Sequence, residues 1–316
     1  MKDEKVAIVD LGTNTFNLLV AEFQSGNMDM LVNERVGVRL GEGGISERRI
    51  TSQAMERAFS TLENFRDTLA GYGIGPDKAI LVGTSALRNA SNADSFIKET
   101  HKRTGFTVHT VDGDREAYLI HEGVKRALRL SDDISLIIDI GGGSVEFIFC
   151  NESRVFWQRS LEIGAQRLIE KFQRHDPIRP EEIKELEAYL EKELTGVLEV
   201  ARRFPPVEFI GSSGSFDTLA EVYEASKGIL AQPHRTAFNL PTTEFELCYQ
   251  TLVNKNRGER LRVPGMIPLR VDLIVVASCL IRFLLREIPV NNIRVSTYAL
   301  KEGLMYMISE GRFRVE

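Results

Sequence analysis

Two carboxylates flank a run of glycines in the stretch Ser135-Leu136-Ile137-Ile138-Asp139-Ile140-Gly141-Gly142-Gly143-Ser144-Val145-Glu146-Phe147-Ile148-Phe149. The aliphatic runs on either side read as buried strands that close into a hairpin across the glycines. Without Cβ atoms, Gly141, Gly142 and Gly143 can turn their backbone N–H groups towards one point, and Ser144 adds a hydroxyl. Such a concavity suits a phosphate oxygen. Asp139 and Glu146 beside it would repel a polyanion unless a hard cation stood between, and oxygen ligands of this kind suggest Mg²⁺.

The same order of residue types occurs a second time. Val6-Ala7-Ile8-Val9-Asp10-Leu11-Gly12-Thr13-Asn14-Thr15 again gives an aliphatic strand, an aspartate, a glycine and small polar residues, with Leu18-Leu19-Val20 resuming the apolar run. Ala79-Ile80-Leu81-Val82-Gly83-Thr84-Ser85 likewise matches Val207-Glu208-Phe209-Ile210-Gly211-Ser212-Ser213. Asp139 follows Asp10 by 129 positions (139 − 10), and Gly211 follows Gly83 by 128 (211 − 83). Two matches at nearly one offset argue for a duplicated unit.

The elements that must carry these turns alternate between strand and helix. Met28 to Val38 reads as a third strand and Gly41-Glu42-Gly43-Gly44 as a flexible loop. A helix from about Thr51 presents Met55, Ala58, Leu62, Phe65 and Leu69 on one face and ends at Gly71 and Gly73. The strand into Gly83-Thr84-Ser85 precedes a loop, Ala86-Leu87-Arg88-Asn89-Ala90, and a helix capped by Ser91 or Asn92 and stopped by Gly105. Phe106 to Val111 is a strand leading to Asp112-Gly113-Asp114-Arg115-Glu116-Ala117 and a helix to about Leu130. This alternation gives an α/β layer with ligands expected at loops beyond the strand ends.

Ser131-Asp132-Asp133 marks a boundary between a first domain, 1–130, and a second, 131–316, whose last helix could pack back on the first. In the second half Phe156 to Leu161 is a strand, Gly164 opens a helix, and Pro180-Glu181-Glu182 starts one long amphipathic helix running to Ala201. Gly211-Ser212-Ser213-Gly214-Ser215-Phe216 passes from strand to helix, the geometry that aims N–H groups at an anion. Between Lys255 and Arg270 five basic residues face one acid, Glu259, which by itself reads as a solvated loop. Pro268 begins an apolar helix, followed by a strand from Asn292 to Val295 and a final helix from about Ala299. With no low-complexity linker between them, the halves are expected to pack with a cleft between domains.

A chain of 316 residues with 43% hydrophobic and 27% charged residues can build two cores. Its net charge of −5 disfavours nucleic-acid binding and sequence-specific recognition of DNA or RNA, so any phosphate chemistry must be local. Cys150, Cys248 and Cys279 are widely spaced and fit ordinary packing in a reducing, cytoplasmic setting. The charged start lacks a signal-peptide core, and the apolar segment near Leu273 to Leu285 is interrupted by Arg282, so no membrane span is expected.

Two facing phosphate turns suit phosphoryl transfer. A kinase would need an acceptor pocket, a hydrolase a carboxylate that orients water. Glu146 and Glu116 are the candidates, although Glu116 equally fits a charge that stabilises a helix start.

Asp10-Leu11-Gly12-Thr13-Asn14-Thr15, Thr84-Ser85-Ala86-Leu87-Arg88, Gly113-Asp114-Arg115-Glu116-Ala117, Asp139-Ile140-Gly141-Gly142-Gly143-Ser144-Val145-Glu146 and Gly211-Ser212-Ser213-Gly214 occur in this order. Together with Pro268-Leu269-Arg270-Val271-Asp272 and Glu302-Gly303-Leu304 they resemble the exopolyphosphatase and guanosine pentaphosphate phosphohydrolase (Ppx/GppA) family along essentially the whole chain. The resemblance implies a duplicated ribonuclease-H-like fold of the actin-like ATPase superfamily. It also implies Mg²⁺-dependent release of the terminal phosphate from inorganic polyphosphate or guanosine pentaphosphate. It places water activation on Glu116 and Glu146, and metal handling on Asp139, Glu146 and the matching Asp10. Phosphate contacts fall to Gly12, Thr13, Asn14, Arg88, the Gly141 to Ser144 turn, Gly214, Ser215 and Arg270.

This sequence departs from the family pattern at Asn17, where a basic residue is common, and at Val145, where a hydroxyl residue is common. The helical C-terminal extension of longer members is absent after Glu316, and a homodimer is an option that the residues leave open. The basic Lys255 to Arg270 stretch is a candidate guide for a polyanion. The competing functions are a non-catalytic sensor of guanosine alarmone and an ATP-dependent kinase of the same fold group.

Overall fold

A computed structural model describes residues 5–24, 27–230, 232 and 235–313. The first strands are β1 (Lys5–Leu11), β2 (Phe16–Gln24) and β3 (Asn27–Val36), followed by α1 (Ser52–Gly71), β4 (Ala79–Gly83), α2 (Ser85–Asn89), α3 (Ala93–Thr104), β5 (Val108–Thr110) and α4 (Gly113–Ala127). Next come β6 (Ser135–Ile140), β7 (Val145–Cys150), β8 (Val155–Leu161), α5 (Ala165–Phe172), α6 (Pro180–Glu193), α7 (Thr195–Arg203), β9 (Glu208–Ser212) and α8 (Gly214–Ser226). The chain closes with β10 (Ala237–Pro241), α9 (Thr242–Val253), α10 (Arg257–Arg260), α11 (Ile274–Glu287), β11 (Asn292–Ser296) and α12 (Leu300–Ser309).

These elements fall into two compact units. One holds the residues up to Gly123 together with 141–143 and those from Leu300 on; the other holds 124–140 and 144–299. The first sheet has the order β3-β2-β1-β4-β5, with β1, β2 and β3 antiparallel and β4 and β5 parallel to β1. The second repeats this plan as β8-β7-β6-β9-β11 and adds β10 at its edge. Two copies of one hairpin-plus-crossover sheet give this α/β protein the duplicated layout expected from the sequence offset.

Each sheet builds its own core. Val9, Leu11, Phe16, Leu18 and Leu81 meet Leu62 and Phe65 of α1 in the first; Ile138, Phe147, Phe149 and Phe209 meet Leu186, Leu190 and the apolar face of α11 in the second. The matched glycines at the end of β4 and one residue before the end of β9 make room for the next helix. A Cβ on Gly83 would lie 2.6 Å from Leu87 Cδ1, and one on Gly211 only 2.1 Å from the Phe216 ring.

Several local expectations change. The Ala86 to Ala90 loop is instead the short α2. Asn92 stands at the N-cap of α3 without capping it, because its side chain bonds both the N–H and the carbonyl of Ile50. The long amphipathic helix from Pro180 divides at Leu194 into α6 and α7. β10 and α9 carry no expectation from sequence. Gly105 does end α3, at φ 78° in the left-handed region that costs glycine nothing.

Candidate active site

The second unit holds the carboxylate pair. Asp139 on β6 and Glu146 on β7 are facing register partners, so their side chains leave the same face of the sheet. Asp139 is 4% exposed and Glu146 1%. Like charges directly opposite one another destabilise a sheet, and burial removes the water that would screen them. Hydroxyl donors from the flanking strands offset part of this cost. Ser212 Oγ, at the end of β9, donates to Asp139 Oδ2 at 2.5 Å, and Ser213 Oγ lies 2.7 and 2.8 Å from the two Asp139 oxygens. On the other flank Ser160 Oγ of β8 donates to Glu146 Oε1 at 2.6 Å.

Ser213 adopts φ +69°, a left-handed conformation unusual for a residue with a side chain. Its hydrogen bonds to Asp139 hold it there, and Gly214 and Ser215 follow as the first residues of α8. The Arg270 guanidinium lies against Gly214: a Cβ on that glycine would meet Arg270 Nη2 at 2.1 Å. A helix N-terminus and a guanidinium are thereby brought together, two donors suited to phosphate oxygens.

The first unit holds the remaining predicted residues. Gly12 donates its N–H to Thr15 O at 3.0 Å, closing the β1–β2 turn, and the loop after β3 is tied to that turn by Arg39 N to Asn14 O (2.8 Å) and Gly41 N to Thr13 O (2.9 Å). The loop after Val36, read as flexible from its glycines, is therefore fastened by backbone bonds. Gly141, Gly142 and Gly143 count with this unit. A Cβ on Gly142 would stand 2.5 Å from Asn14 Oδ1, and one on Gly143 2.4 Å from Ser85 Oγ and 2.6 Å from Thr13 Oγ1, so only glycine fits this approach. Asp10 accepts from Asn17 Nδ2 at 2.9 Å, and Arg35 Nε donates to Asn17 Oδ1 at 3.2 Å.

Glu116, at the start of α4, and Arg88, on α2, meet directly: Arg88 Nη1 donates to Glu116 Oε2 at 2.7 Å and to Val111 O at 3.1 Å. The two were assigned separate roles from sequence, water activation and phosphate contact. In the structure they form one partly buried ion pair.

The donor chemistry fits Mg²⁺. Among the described residues no group of three or more His, Cys, Asp or Glu side chains is placed to hold a metal ion. Mg²⁺ is commonly held by one or two carboxylates, with water and substrate phosphates completing its shell. Asp139 and Glu146, buried and paired in register, supply such a donor set.

Three hydroxyls bonded to the carboxylate pair escaped sequence reasoning. Ser212 and Ser213 lay inside a quoted motif without a role, and Ser160, between Arg159 and Leu161 in a strand, gave no signal at all. The basic stretch is not a uniform solvated loop either. Arg260 is 1% exposed, with Nη1 donating to Asp176 Oδ1 (2.6 Å) and Lys255 O (2.5 Å) and Nε to Val271 O (3.0 Å). Arg257 is engaged by Asp272. Any guidance of a polyanion must therefore exclude Arg260. The three cysteines pack rather than react: burial pushes Cys150 up to about 12, Cys248 to about 11 and Cys279 to about 12. Among the described residues no helix is long and apolar enough to cross a membrane.

Known proteins resemble this chain along nearly its whole length. A crystal structure of an exopolyphosphatase from Cytophaga hutchinsonii is 41% identical, covers 98% of each chain and superposes with a TM-score of 0.93. A Haemophilus influenzae protein provisionally named an exopolyphosphatase is 27% identical over 314 residues, 98% of this chain and 93% of the relative. The fold is also that of the Aquifex aeolicus Ppx/GppA family member, 23% identical over 98% of this chain and 99% of the other, with a TM-score of 0.79. Residues 19–310 match the model of the Ppx/GppA phosphatase family, and the chain belongs to that family.

Proposed function

We propose that this phosphatase hydrolyses the terminal phosphoanhydride of inorganic polyphosphate, of guanosine pentaphosphate, or of both, using water activated by glutamate. The observation that carries the reading is the buried Asp139–Glu146 pair beside a glycine turn, held by hydroxyls on both flanks. A buried like-charge pair is costly to a fold and persists where chemistry uses it. The high identity to an exopolyphosphatase along 98% of the chain supports polyphosphate as substrate.

In this reading Glu146 accepts a proton from the attacking water, and Glu116, fixed by Arg88, assists as the second water-activating carboxylate. Gly12, Thr13, Asn14 and the Gly141 to Ser144 turn supply small, unobstructed donors to the transferred phosphate. Arg270, with Gly214 and Ser215, offsets the charge of the leaving chain, as does Arg88. Asp139 and Glu146, with Asp10 as a further candidate, would hold Mg²⁺, which when bound neutralises phosphate oxygens.

Phosphate release from polyphosphate, guanosine pentaphosphate and ATP, each with Mg²⁺ and with EDTA, tests the proposal. Release from one of the first two that EDTA abolishes supports it. Turnover of ATP only with an added acceptor would favour a kinase, and binding of guanosine pentaphosphate without release a sensor.

A further inference from the structure

The third strand of the second sheet carries a residue that no motif points to. Ser160 on β8 is the register partner of Glu146, as Glu146 is of Asp139, so the three side chains form one transverse row. The 2.6 Å separation of Ser160 Oγ from Glu146 Oε1 falls in the short range of a hydroxyl bonded to a charged carboxylate. The final torsion of a glutamate is broad, so packing alone does not select the plane of its carboxylate. Repulsion from Asp139 would turn Glu146 away. A donor on the flank opposite Asp139 counters that rotation.

The first sheet shows what else could occupy this position. There the partners of the corresponding row are Asp10, Asn17 and Arg35, and Arg35 donates to Asn17. A cation at position 160 would neutralise Glu146 and compete with any metal or substrate for it. A serine hydroxyl orients the carboxylate while leaving its charge in place.

We propose that Ser160 is a positioning residue that fixes the orientation of the Glu146 carboxylate for attack by water. This rests on the reading of Glu146 as a water-activating residue, so Glu146→Gln is assayed in parallel. Ser160→Thr and Ser160→Val are nearly isosteric, suit a strand, and differ in the hydroxyl. With polyphosphate as substrate, Ser160→Val and Ser160→Ala should lower kcat about tenfold, a modest share of the hundredfold that a misplaced group can cost, with KM within about twofold. Ser160→Thr should recover most of kcat, and the melting temperatures of the Thr and Val variants should agree. Equal kcat in the Thr and Val variants, or an unchanged kcat in Ser160→Ala, would overturn the assignment. If Glu146→Gln itself retains turnover, the role of Glu146 fails. If that variant is inactive while all Ser160 variants turn over like the parent, the positioning role alone fails.

Discussion

The row that crosses the first sheet at Arg35, Asn17, Asp10 and Val82 has its counterpart in the second at Ser160, Glu146, Asp139 and Ser212. Asn17 and Glu146 stand 129 positions apart (146 − 17), the same offset as Asp10 and Asp139. In the first row a cation, an amide and a carboxylate are linked in turn by hydrogen bonds, Arg35 to Asn17 and Asn17 to Asp10. In the second, two carboxylates face each other and hydroxyls brace them from both flanks. One ancestral layout has thus become a bridged row of cation, amide and carboxylate in one unit and an electrostatically frustrated like-charge pair in the other. Frustration retained in a buried position is what a site for a cation and a polyanion would need.

The largest effect follows from removing that frustration. Glu146→Gln keeps the size and an oxygen for Ser160 to donate to, and it deletes the charge opposite Asp139. Turnover should fall by roughly a thousandfold or more, the scale of a lost general base joined to lost metal binding. The same variant should melt about 2–4 °C higher, as relief of about 1 kcal/mol predicts for a unit of this size. Mg²⁺ should raise the melting temperature of the parent and not of the variant. Lower stability together with lost activity would mean that Glu146 is a structural partner, and the contrast between the rows would collapse.

The paired glycines give a smaller, graded test of the duplication. Gly211→Ala drives a methyl to 2.1 Å from the Phe216 ring, whereas Gly83→Ala meets the movable end of Leu87 at 2.6 Å. Overpacking against a rigid aromatic should cost about 3 kcal/mol, near the top of the usual range, and against leucine about 1 kcal/mol. Chemical denaturation would show the order, and Phe216→Leu should recover part of the larger loss. Equal costs would deny that these two strand ends differ in the way described.

How much of this the sequence discloses depends on residue class. Asp10 and Asp139, or Gly83 and Gly211, are alike in type, so their spacing exposes the repeat. Asn17 and Glu146 differ in charge and Arg35 and Ser160 in nearly everything, so only strand register reveals that they are counterparts. Glycine turns were readable because close backbone approach demands glycine, as at Gly142 and Gly143. The bracing serines were not, since a hydroxyl in a strand usually means nothing. Arg260 misled because a charged residue among charged residues reads as solvated, whereas the carbonyls of Lys255 and Val271 and the Asp176 carboxylate bury it. The break at Leu194 has no proline to announce it, and Gly196 stands inside α7 rather than at the break.

The smallest effect is the reciprocal change, which builds into the first row what the second already has. Asn17→Asp preserves shape, removes the Nδ2 donor that now serves Asp10 at 2.9 Å, and sets a second carboxylate opposite it. Arg35 is near enough to compensate in part, because its Nε reaches the Asn17 side chain at 3.2 Å. The net cost should be about 1–2 kcal/mol at neutral pH, between the price of a lost buried donor and that of an unscreened like-charge pair. Two ionised carboxylates repel only while both are charged. Stability of the variant relative to the parent should therefore recover as the pH falls from 7 towards 4, where one of the pair takes up a proton. A penalty independent of pH would assign the loss to the missing donor alone. It would also remove like-charge repulsion as the quantity that separates the two rows.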